Sequence, residues 1–152
     1  MNEFWQYGLI FILAATPWIE VLLAVPAGLA LGLQPALVAV IVFVGNAAPV
    51  FLLVYGYQYW QTWRSAGQEN NSGEPDKRWQ RAQTVMNRYG LPGLAFLGPL
   101  LTGIHLATLI ALLMKPSKTK VLLWMNASLL AWTIGLTLAS FYGFKGLGLM
   151  MG

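Results

Sequence analysis

Residues 16–33 read TPWIEVLLAVPAGLALGL, and residues 91–114 read LPGLAFLGPLLTGIHLATLIALLM. Both stretches are apolar enough to enter a bilayer, and both are interrupted by proline and glycine. Lipid offers no partner to the backbone groups that such residues release, so interrupted segments occur at membrane depth only where they face protein or a water-filled cavity. Paired interrupted segments in the two halves of a chain are typical of a transporter's binding site.

The composition predicts the compartment. The chain has 152 residues, of which 57% are hydrophobic and 9% are charged, and its mean hydropathy is +0.60. A soluble domain of this length does not normally have this composition, so we expect a single integral membrane domain. The N-terminus lacks the basic region and cleavage site of a signal peptide, so the first hydrophobic segment is expected to stay attached. There is no cysteine, which excludes disulfides and cysteine nucleophiles.

Two continuous apolar segments, residues 36–60 and 121–142, exceed the roughly 20 helical residues that cross a bilayer. Each of them follows one of the interrupted stretches. The polar region between the two halves, residues 61–90, contains a loop and then a predicted helix. That helix is expected to begin at Pro75 and to end at Gly90.

The predicted helix between Pro75 and Gly90 is amphipathic. Its apolar face combines Trp79, Ala82, Met86 and Tyr89, which recur at helical spacing. Such a helix is typical of an anionic membrane surface. The basic residues expected to contact that surface are Lys77, Arg78, Arg81 and Arg88. The alternative is an exposed charged linker.

Lysine and arginine cluster in two loops. Five of the nine lie between residues 61 and 90, and three lie between residues 115 and 120. Basic loops favour the cytoplasmic side of a membrane. If residues 91–114 crossed the bilayer once, these two loops would lie on opposite sides. A re-entrant hairpin, which enters and leaves on the same side, removes this conflict.

We therefore predict an all-α membrane protein with two re-entrant helical hairpins of opposite orientation, two or three transmembrane helices and an amphipathic surface helix. Residues 1–60 and 91–152 would form inverted half-repeats that flank the cytoplasmic loop at 61–90. Residues 4–15, too short to span, would lie at the outer interface or tilt partly into the membrane. The alternative is a bundle in which residues 4–33 form one long kinked span, followed by three ordinary spans.

The hairpins are expected to turn where proline and glycine occur. The first turn is predicted at residues 26–28, and the second at Gly98-Pro99 or at Gly103. The residues predicted to interrupt the helices are Pro26, Gly28, Pro92, Gly93, Pro99 and Gly103.

Three runs carry a family resemblance: PWIEVLLAVPAGLALGL at 17–33, GNAAP at 45–49 and YGLPGLAFLGPLLTGIHLATLIALLM at 89–114. With the basic turn and small-residue helix that follow, they resemble the family named putative small multi-drug export proteins, which is similar to the larger DedA (VTT-domain) superfamily. The resemblance implies two opposed re-entrant hairpins around a central cavity. The residues it places on motif positions are Glu20, Pro26, Gly28, Gly45, Asn46 and Gly103.

Five polar residues of the apolar segments are candidates for binding a substrate or a proton: Glu20, Asn46, Thr102, His105 and Asn126. An ionised carboxylate near mid-bilayer costs on the order of 3 kcal/mol. Glu20 is therefore expected either to bind and release a proton or to lie at the level of the lipid headgroups. His105 is the only histidine, and either exchanges protons near neutral pH or packs as a hydrogen-bonded residue. Glu20 and His105 can pair if the hairpins meet. The asparagines can hydrogen-bond between helices or line a polar cavity.

The sequence has no hydrolase, metalloprotease or phosphate-loop motif, so we predict no enzymatic activity, no cofactor and no metal site. The predicted function is proton-coupled export of small amphipathic or cationic compounds. The alternatives are a lipid or lipid-carrier flippase of the DedA type and a non-transporting membrane adaptor. The expected partners are the lipid bilayer and a small-molecule or lipid substrate, without nucleic acid. A homodimer would suit so small a chain. The expected location is the inner membrane of a bacterium, as a multi-pass protein.

Overall fold

The computed structural model describes residues 3–16, 20–64, 77–114 and 117–147. Within these ranges the chain forms helices and no strand. The start predicted at Pro75 lies outside the described residues. The six helices are α1 (Glu3–Ala15), α2 (Glu20–Ala30), α3 (Pro35–Arg64), α4 (Lys77–Leu101), α5 (Ile104–Leu113) and α6 (Lys118–Gly146).

The two longest uninterrupted helices, α3 and α6, correspond to the two predicted continuous helices. By length and composition, Pro35–Tyr57 of α3 and Lys118–Gly146 of α6 can cross a membrane. α3 begins at a proline, whose fixed φ suits the first helical position and whose missing N–H would have no partner there. The carbonyl of Gln34 accepts the N–H of Val38 at 3.0 Å and starts the hydrogen-bond ladder.

The turn from α2 to α3 is a Schellman motif. Gly32 has a φ of 75°, which glycine adopts without the steric cost of a Cβ. Its N–H donates to the Leu29 carbonyl at 3.0 Å, and the N–H of Leu33 donates to the Gly28 carbonyl at 3.2 Å. The side chain of Leu33 is buried. The local sequence therefore ends α2 and directs the chain into α3.

The sequence predicts a turn at residues 26–28 of the first interrupted stretch, and this prediction is wrong. α2 continues through Pro26, because a proline inside a helix removes a single backbone hydrogen bond and packing can hold the rest of the helix together. Gly28 serves a close contact instead: a Cβ there would lie 2.8 Å from Cγ1 of Val38 on α3.

The helix boundary in the first half lies earlier, between the end of α1 at Ala15 and the start of α2 at Glu20. α1 packs against α2, so the two helices form a pair. Residues 4–15 belong to this pair and do not lie apart from it. The alternative of one long kinked helix over residues 4–33 is therefore wrong.

The second interrupted stretch consists of two helices that double back at Thr102 and Gly103. The N–H groups of these residues donate to the Gly98 carbonyl at 2.9 and 2.8 Å, and Gly103 has a φ of 87°. Gly98 and Ala107 lie at equal distance from this turn and face each other, since a Cβ at Gly98 would lie 2.6 Å from Cβ of Ala107. The chain thus turns at Gly103 and not at Gly98-Pro99. Three residues predicted to interrupt the helix lie inside α4: Pro92, Gly93 and Pro99.

α4 itself has two helical segments, residues 77–89 and 91–101, which meet at Gly90. Gly90 has φ 68° and ψ −166°, a conformation that is essentially restricted to glycine. This confirms the predicted end of the amphipathic helix. Val85 and Met86 are half-buried and pack against a buried core, so protein covers part of the side of the helix that contains Met86. Contact of this helix with the membrane surface stays a prediction.

The chain forms two compact units. The first unit is Met1–Ala48 with Asn126–Gly152, and the second is Pro49–Met125. Each unit contains one helix pair, α1–α2 or α4–α5, together with part of α3 and part of α6. The core of the first unit includes Ile10, Ala14, Val21, Val25, Val38, Val42 and Leu129. The core of the second unit includes Val50, Val54, Leu94, Ala95, Ile104, Ala107, Ile110 and Met125.

Candidate functional site

Asn46 is a fully buried polar residue of α3 in the first unit. Its side-chain Nδ2 donates to the carbonyl of Val42, one turn earlier, at 3.0 Å. Its Oδ1 is buried and has no hydrogen-bond partner among the described residues. The amide cannot be flipped to change this, because only the NH₂ group can donate to the Val42 carbonyl. Asn46 therefore presents a buried oxygen that can only accept.

The neighbouring residue, Gly45, lies where α1 packs closely against α3. A Cβ at Gly45 would lie 2.9 Å from Cβ of Ala14 and 3.0 Å from the carbonyl oxygen of Phe11. Pro49 lies one turn later inside α3 and has no N–H to donate to the Gly45 carbonyl. A second oxygen thus lacks its usual helical donor beside Asn46.

The position of Asn46 along α3 places this pair of oxygens deep in the helix. Asn46 lies eleven residues after Pro35, which at the helical rise is about 16 Å from the start of α3. The hydrocarbon core of a bilayer is about 30 Å thick. If α3 crosses the membrane from its first residue, Asn46 lies close to the bilayer midplane.

Three buried threonines differ from Asn46 because their hydroxyl groups are satisfied within their own helices. Thr108 of α5 donates to the Ile104 carbonyl, and Thr133 and Thr137 of α6 donate to the carbonyls of Leu129 and Thr133, each at 2.7 Å. Such back-bonded threonines present mainly a methyl group to their surroundings. They are suited to helix packing and not to substrate binding.

Two of the sequence candidates lie at the α4–α5 turn of the second unit. The hydroxyl of Thr102 makes only long contacts, 3.4 Å to the Gly98 carbonyl and 3.3 Å to the Gly103 carbonyl. His105 is the second residue of α5; it is buried, and its Nε2 atom is inaccessible to solvent. Thr102 therefore lies in the turn itself, and His105 lies in the first turn of the helix that follows it.

Of the other two candidates, only Asn126 has a described side chain. Glu20 is the first residue of α2, but its side chain lies outside the described residues, so its pairing with His105 stays a prediction. Asn126 lies on α6 in the first unit and is half-buried. No three His, Asp or Glu side chains come together as metal ligands in the part of the chain that the structure describes.

An open cavity of about 520 Å³ lies along the first segment of α4 in the second unit. Its lining combines basic, polar and apolar side chains: Lys77, Gln80, Arg81, Thr84, Val85 and Leu101. Two of the predicted lipid-surface residues, Lys77 and Arg81, line this cavity. A third, Arg88, has its guanidinium carbon 5.5 Å from the ring centroid of Tyr89. The side chain of Arg78 lies outside the described residues.

The family described as putative small multi-drug export protein matches residues 20–134, which is more than half of the chain. The chain belongs to this family. The match extends from the first residue of α2 into α6 and includes Asn46 and His105. As a member of the small multi-drug export family with two helices that can cross a bilayer, the protein is a membrane protein with a transport role. No curated protein and no solved structure matches the chain significantly.

The sequence analysis of this small multi-drug export protein selected Asn46, but it missed three residues that shape the cavity of α4 or the surroundings of Asn46. Gln80 and Leu101 line the cavity of α4, and Pro49 releases the Gly45 carbonyl. The GNAAP run contained the signal for Pro49, because a proline four residues after a helical residue removes the donor to its carbonyl. No local pattern could have shown that Leu101 lies beside Lys77, which is far from it in sequence.

Proposed function

We propose that this protein exports small cationic or amphipathic compounds in exchange for protons, and that Asn46 contacts the exported compound. The observation that carries the proposal is the buried Oδ1 of Asn46, which lies deep in a helix long enough to span the bilayer and has no donor among the described residues. The family match supports export as the direction of transport.

The acceptor oxygens favour a cation that carries N–H groups. A buried acceptor without a donor costs about 1–3 kcal/mol, and a ligand that donates to it recovers this cost. The oxygens of Asn46 and Gly45 are also the negative ends of their carbonyl dipoles. They therefore attract a positive charge and repel an anion at a depth where a bare charge costs on the order of 3 kcal/mol.

Glu20 is proposed as the group that binds and releases the coupled proton. It is the only acidic residue within the hydrophobic segments, and it begins α2. α2 is paired with α1, and α1 contacts α3 at Gly45, next to Asn46. A carboxylate on this helix pair can neutralise the cation when ionised and release it when protonated.

We also propose that the helix pairs α1–α2 and α4–α5 are re-entrant hairpins, as the DedA resemblance implies. The lengths of the helices support this proposal. α1, α2 and α5 have 13, 11 and 10 residues, so they extend about 20, 16 and 15 Å at the helical rise. None reaches the roughly 30 Å of the hydrocarbon core. A pair of such helices that doubles back can enter and leave the membrane on one side.

Export assays on three proteins test the role of Asn46: wild type, Asn46→Leu and Thr133→Val. Asn46→Leu removes the acceptor at nearly constant volume, whereas Thr133→Val removes a buried hydroxyl that is already bonded within its helix. The probes are ethidium, which carries N–H donors, and tetraphenylphosphonium, which carries none. Efflux is followed in cells that lack other exporters.

We expect Asn46→Leu to slow ethidium efflux about tenfold or more, as the loss of a hydrogen bond to a charged group predicts. Tetraphenylphosphonium efflux should fall less, and Thr133→Val should leave both rates within twofold of wild type. Wild-type ethidium efflux by Asn46→Leu would overturn the role of Asn46. Absence of efflux of both probes by the wild type would overturn cation export.

Single cysteines test the re-entrant arrangement, since the chain contains no native cysteine. Cysteines at positions 34, 72 and 117 are labelled from outside intact cells with an impermeant thiol reagent. A re-entrant second pair predicts that position 34 reacts while positions 72 and 117 are both protected. If 72 and 117 lie on opposite sides, residues 91–114 cross the membrane once.

A further inference from the structure

The first segment of α4 folds back along the second. Gly90 has φ 68° and ψ −166°, and a Cβ at Gly93 would collide with Cβ of Tyr89, so the two segments meet closely at this kink. Residues 77–84 consequently lie beside Leu101, at the far end of the second segment. Both line the open cavity of about 520 Å³.

The turn that ends α4 is not enclosed by the described part of the second unit. Leu101 is 37% exposed, and Thr102 and Gly103 are half-buried. In the re-entrant arrangement proposed above, this turn lies farthest into the membrane, at the tip of the α4–α5 pair. Backbone that leaves helical geometry at membrane depth is tolerated only where it is buried in protein or lines a water-filled cavity. Because the turn is not buried, water must reach it.

The lining of the cavity is hydrophilic on the side of the first segment. Lys77, Gln80, Arg81 and Thr84 occur at helical spacing, share one face of α4 and are all exposed. Ionised side chains within a membrane face a water-filled cavity or a polar partner, because lipid cannot solvate them. At about 30 Å³ for each molecule of liquid water, a cavity of this size accommodates on the order of ten to twenty waters.

The second segment also has an apolar side that does not belong to the cavity. Phe96 and Leu100 lie one turn apart on it, are 43% and 54% exposed and are not among the residues that line the cavity. In the membrane, we expect these two side chains to face acyl chains. Leu100 is therefore more exposed than its neighbour Leu101, but the two residues face different solvents.

We propose that the cavity is a water-filled vestibule, which opens on the cytoplasmic side and brings water to the turn at residues 101–103. The water hydrates the charged groups of Lys77 and Arg81 and the carbonyl oxygens at the end of α4 that helical geometry leaves without a donor. Polar compounds and protons from the cytoplasm can then reach the depth of Thr102 without crossing hydrocarbon. This inference rests on the re-entrant arrangement of the proposed function, and it does not depend on the role of Asn46.

Cysteine labelling tests the vestibule, since the chain contains no native cysteine. Leu101→Cys and Leu100→Cys are prepared separately, and inverted membrane vesicles are treated with an impermeant methanethiosulfonate. The thiolate is the form that reacts, and it forms poorly in apolar surroundings. The cysteine at position 101 should therefore react at least about tenfold faster than the cysteine at position 100. Exposure in the folded chain alone predicts the opposite order. In denaturing detergent the two rates should be equal.

A second variant, Thr84→Trp, tests whether water reaches position 101 through this cavity. Thr84 is exposed and lines the cavity, so a larger side chain there should occupy part of the volume while the protein still folds. Thermal unfolding of the purified variant checks the folding. In vesicles, Thr84→Trp should slow the labelling of a cysteine at position 101 and leave the labelling at position 100 unchanged.

Three results would overturn the vestibule. One is an equal or faster rate at position 100 in vesicles. Another is labelling at position 101 that Thr84→Trp does not slow, as expected if residues 77–89 lie flat on the membrane surface away from the turn. The third is labelling of positions 72 and 117 from opposite sides, which would also refute the re-entrant arrangement. If those two positions are both protected and the rates at 100 and 101 are equal, only the vestibule is refuted.

Discussion

The contact between α1 and α3 at Gly45 predicts a specific loss of stability for Gly45→Ala. The added Cβ would lie 2.9 Å from Cβ of Ala14 and 3.0 Å from the carbonyl oxygen of Phe11. Neither atom belongs to a flexible side chain, so α1 must shift away from α3 to relieve the contact. Gly56 is the matched control: it lies on the same helix, and a Cβ there would meet nothing within 4 Å.

The expected magnitudes follow from two opposing effects. Overpacking a close contact costs about 1–3 kcal/mol. Replacing a helical glycine by alanine favours the helix by about 1 kcal/mol. Gly45→Ala should therefore lower the free energy of unfolding by about 1 kcal/mol, whereas Gly56→Ala should raise it by about 1 kcal/mol. The difference of about 2 kcal/mol corresponds to roughly 4–8 °C in Tm for a chain of this size.

The assay is thermal unfolding of both variants and the wild type, purified in the same detergent. Gly45→Ala should have the lowest Tm and Gly56→Ala the highest. Because the contact lies beside Asn46, Gly45→Ala should also slow ethidium efflux more than Gly56→Ala does. If Gly45→Ala is as stable as Gly56→Ala, α1 does not approach α3 at this residue, and the placement of the α1–α2 pair beside Asn46 is wrong.

Three further variants test the turns and pairs of each unit by the same unfolding measurement. Gly98→Ala should lower the free energy of unfolding by about 1–3 kcal/mol, because the added Cβ would collide with Ala107, and adding Ala107→Gly should restore most of this loss. If the losses of the two substitutions add, residues 98 and 107 are not in contact. Gly90→Ala should lower the free energy of unfolding by about 1–3 kcal/mol, because the backbone conformation of Gly90 is disfavoured for any residue with a Cβ; a variant with wild-type stability would rule out this conformation at Gly90. Tyr7→Phe should cost about 0.5–1.5 kcal/mol, because the N–H of Gln34 donates to the Tyr7 hydroxyl at 3.2 Å; no change would show that this bond adds nothing to stability.

Local sequence was sufficient for the features that depend on neighbours along the chain. The lengths of α3 and α6 follow from runs of apolar residues, because a continuous apolar segment must satisfy its own backbone in lipid. Gly90 was predicted to end a helix and does so, because its conformation is accessible to glycine alone. Asn46 could be selected as a candidate, since a buried amide within an apolar segment is costly unless it has a role.

The same reasoning failed where a residue type has two structural uses. Pro26 and Gly28 predicted a turn, yet α2 continues through both of them. Gly28 instead permits the approach of Val38, and the helix boundary falls before Glu20. A glycine that breaks a helix and a glycine that admits a neighbouring helix have the same local sequence signal. Only the packed partner distinguishes them.

By itself, the sequence determined that the chain is helical, that it enters a membrane and that few polar residues lie within its apolar segments. Only the tertiary structure decided which of those polar groups are satisfied. Thr133 bonds to its own helix, whereas Oδ1 of Asn46 has no donor among the described residues. It also decided that Leu101 lies beside Lys77 and Arg81. The physical reason is that composition and helix periodicity are local properties, whereas hydrogen-bond satisfaction and cavity lining depend on residues that are distant in sequence and become neighbours only when the helices pack.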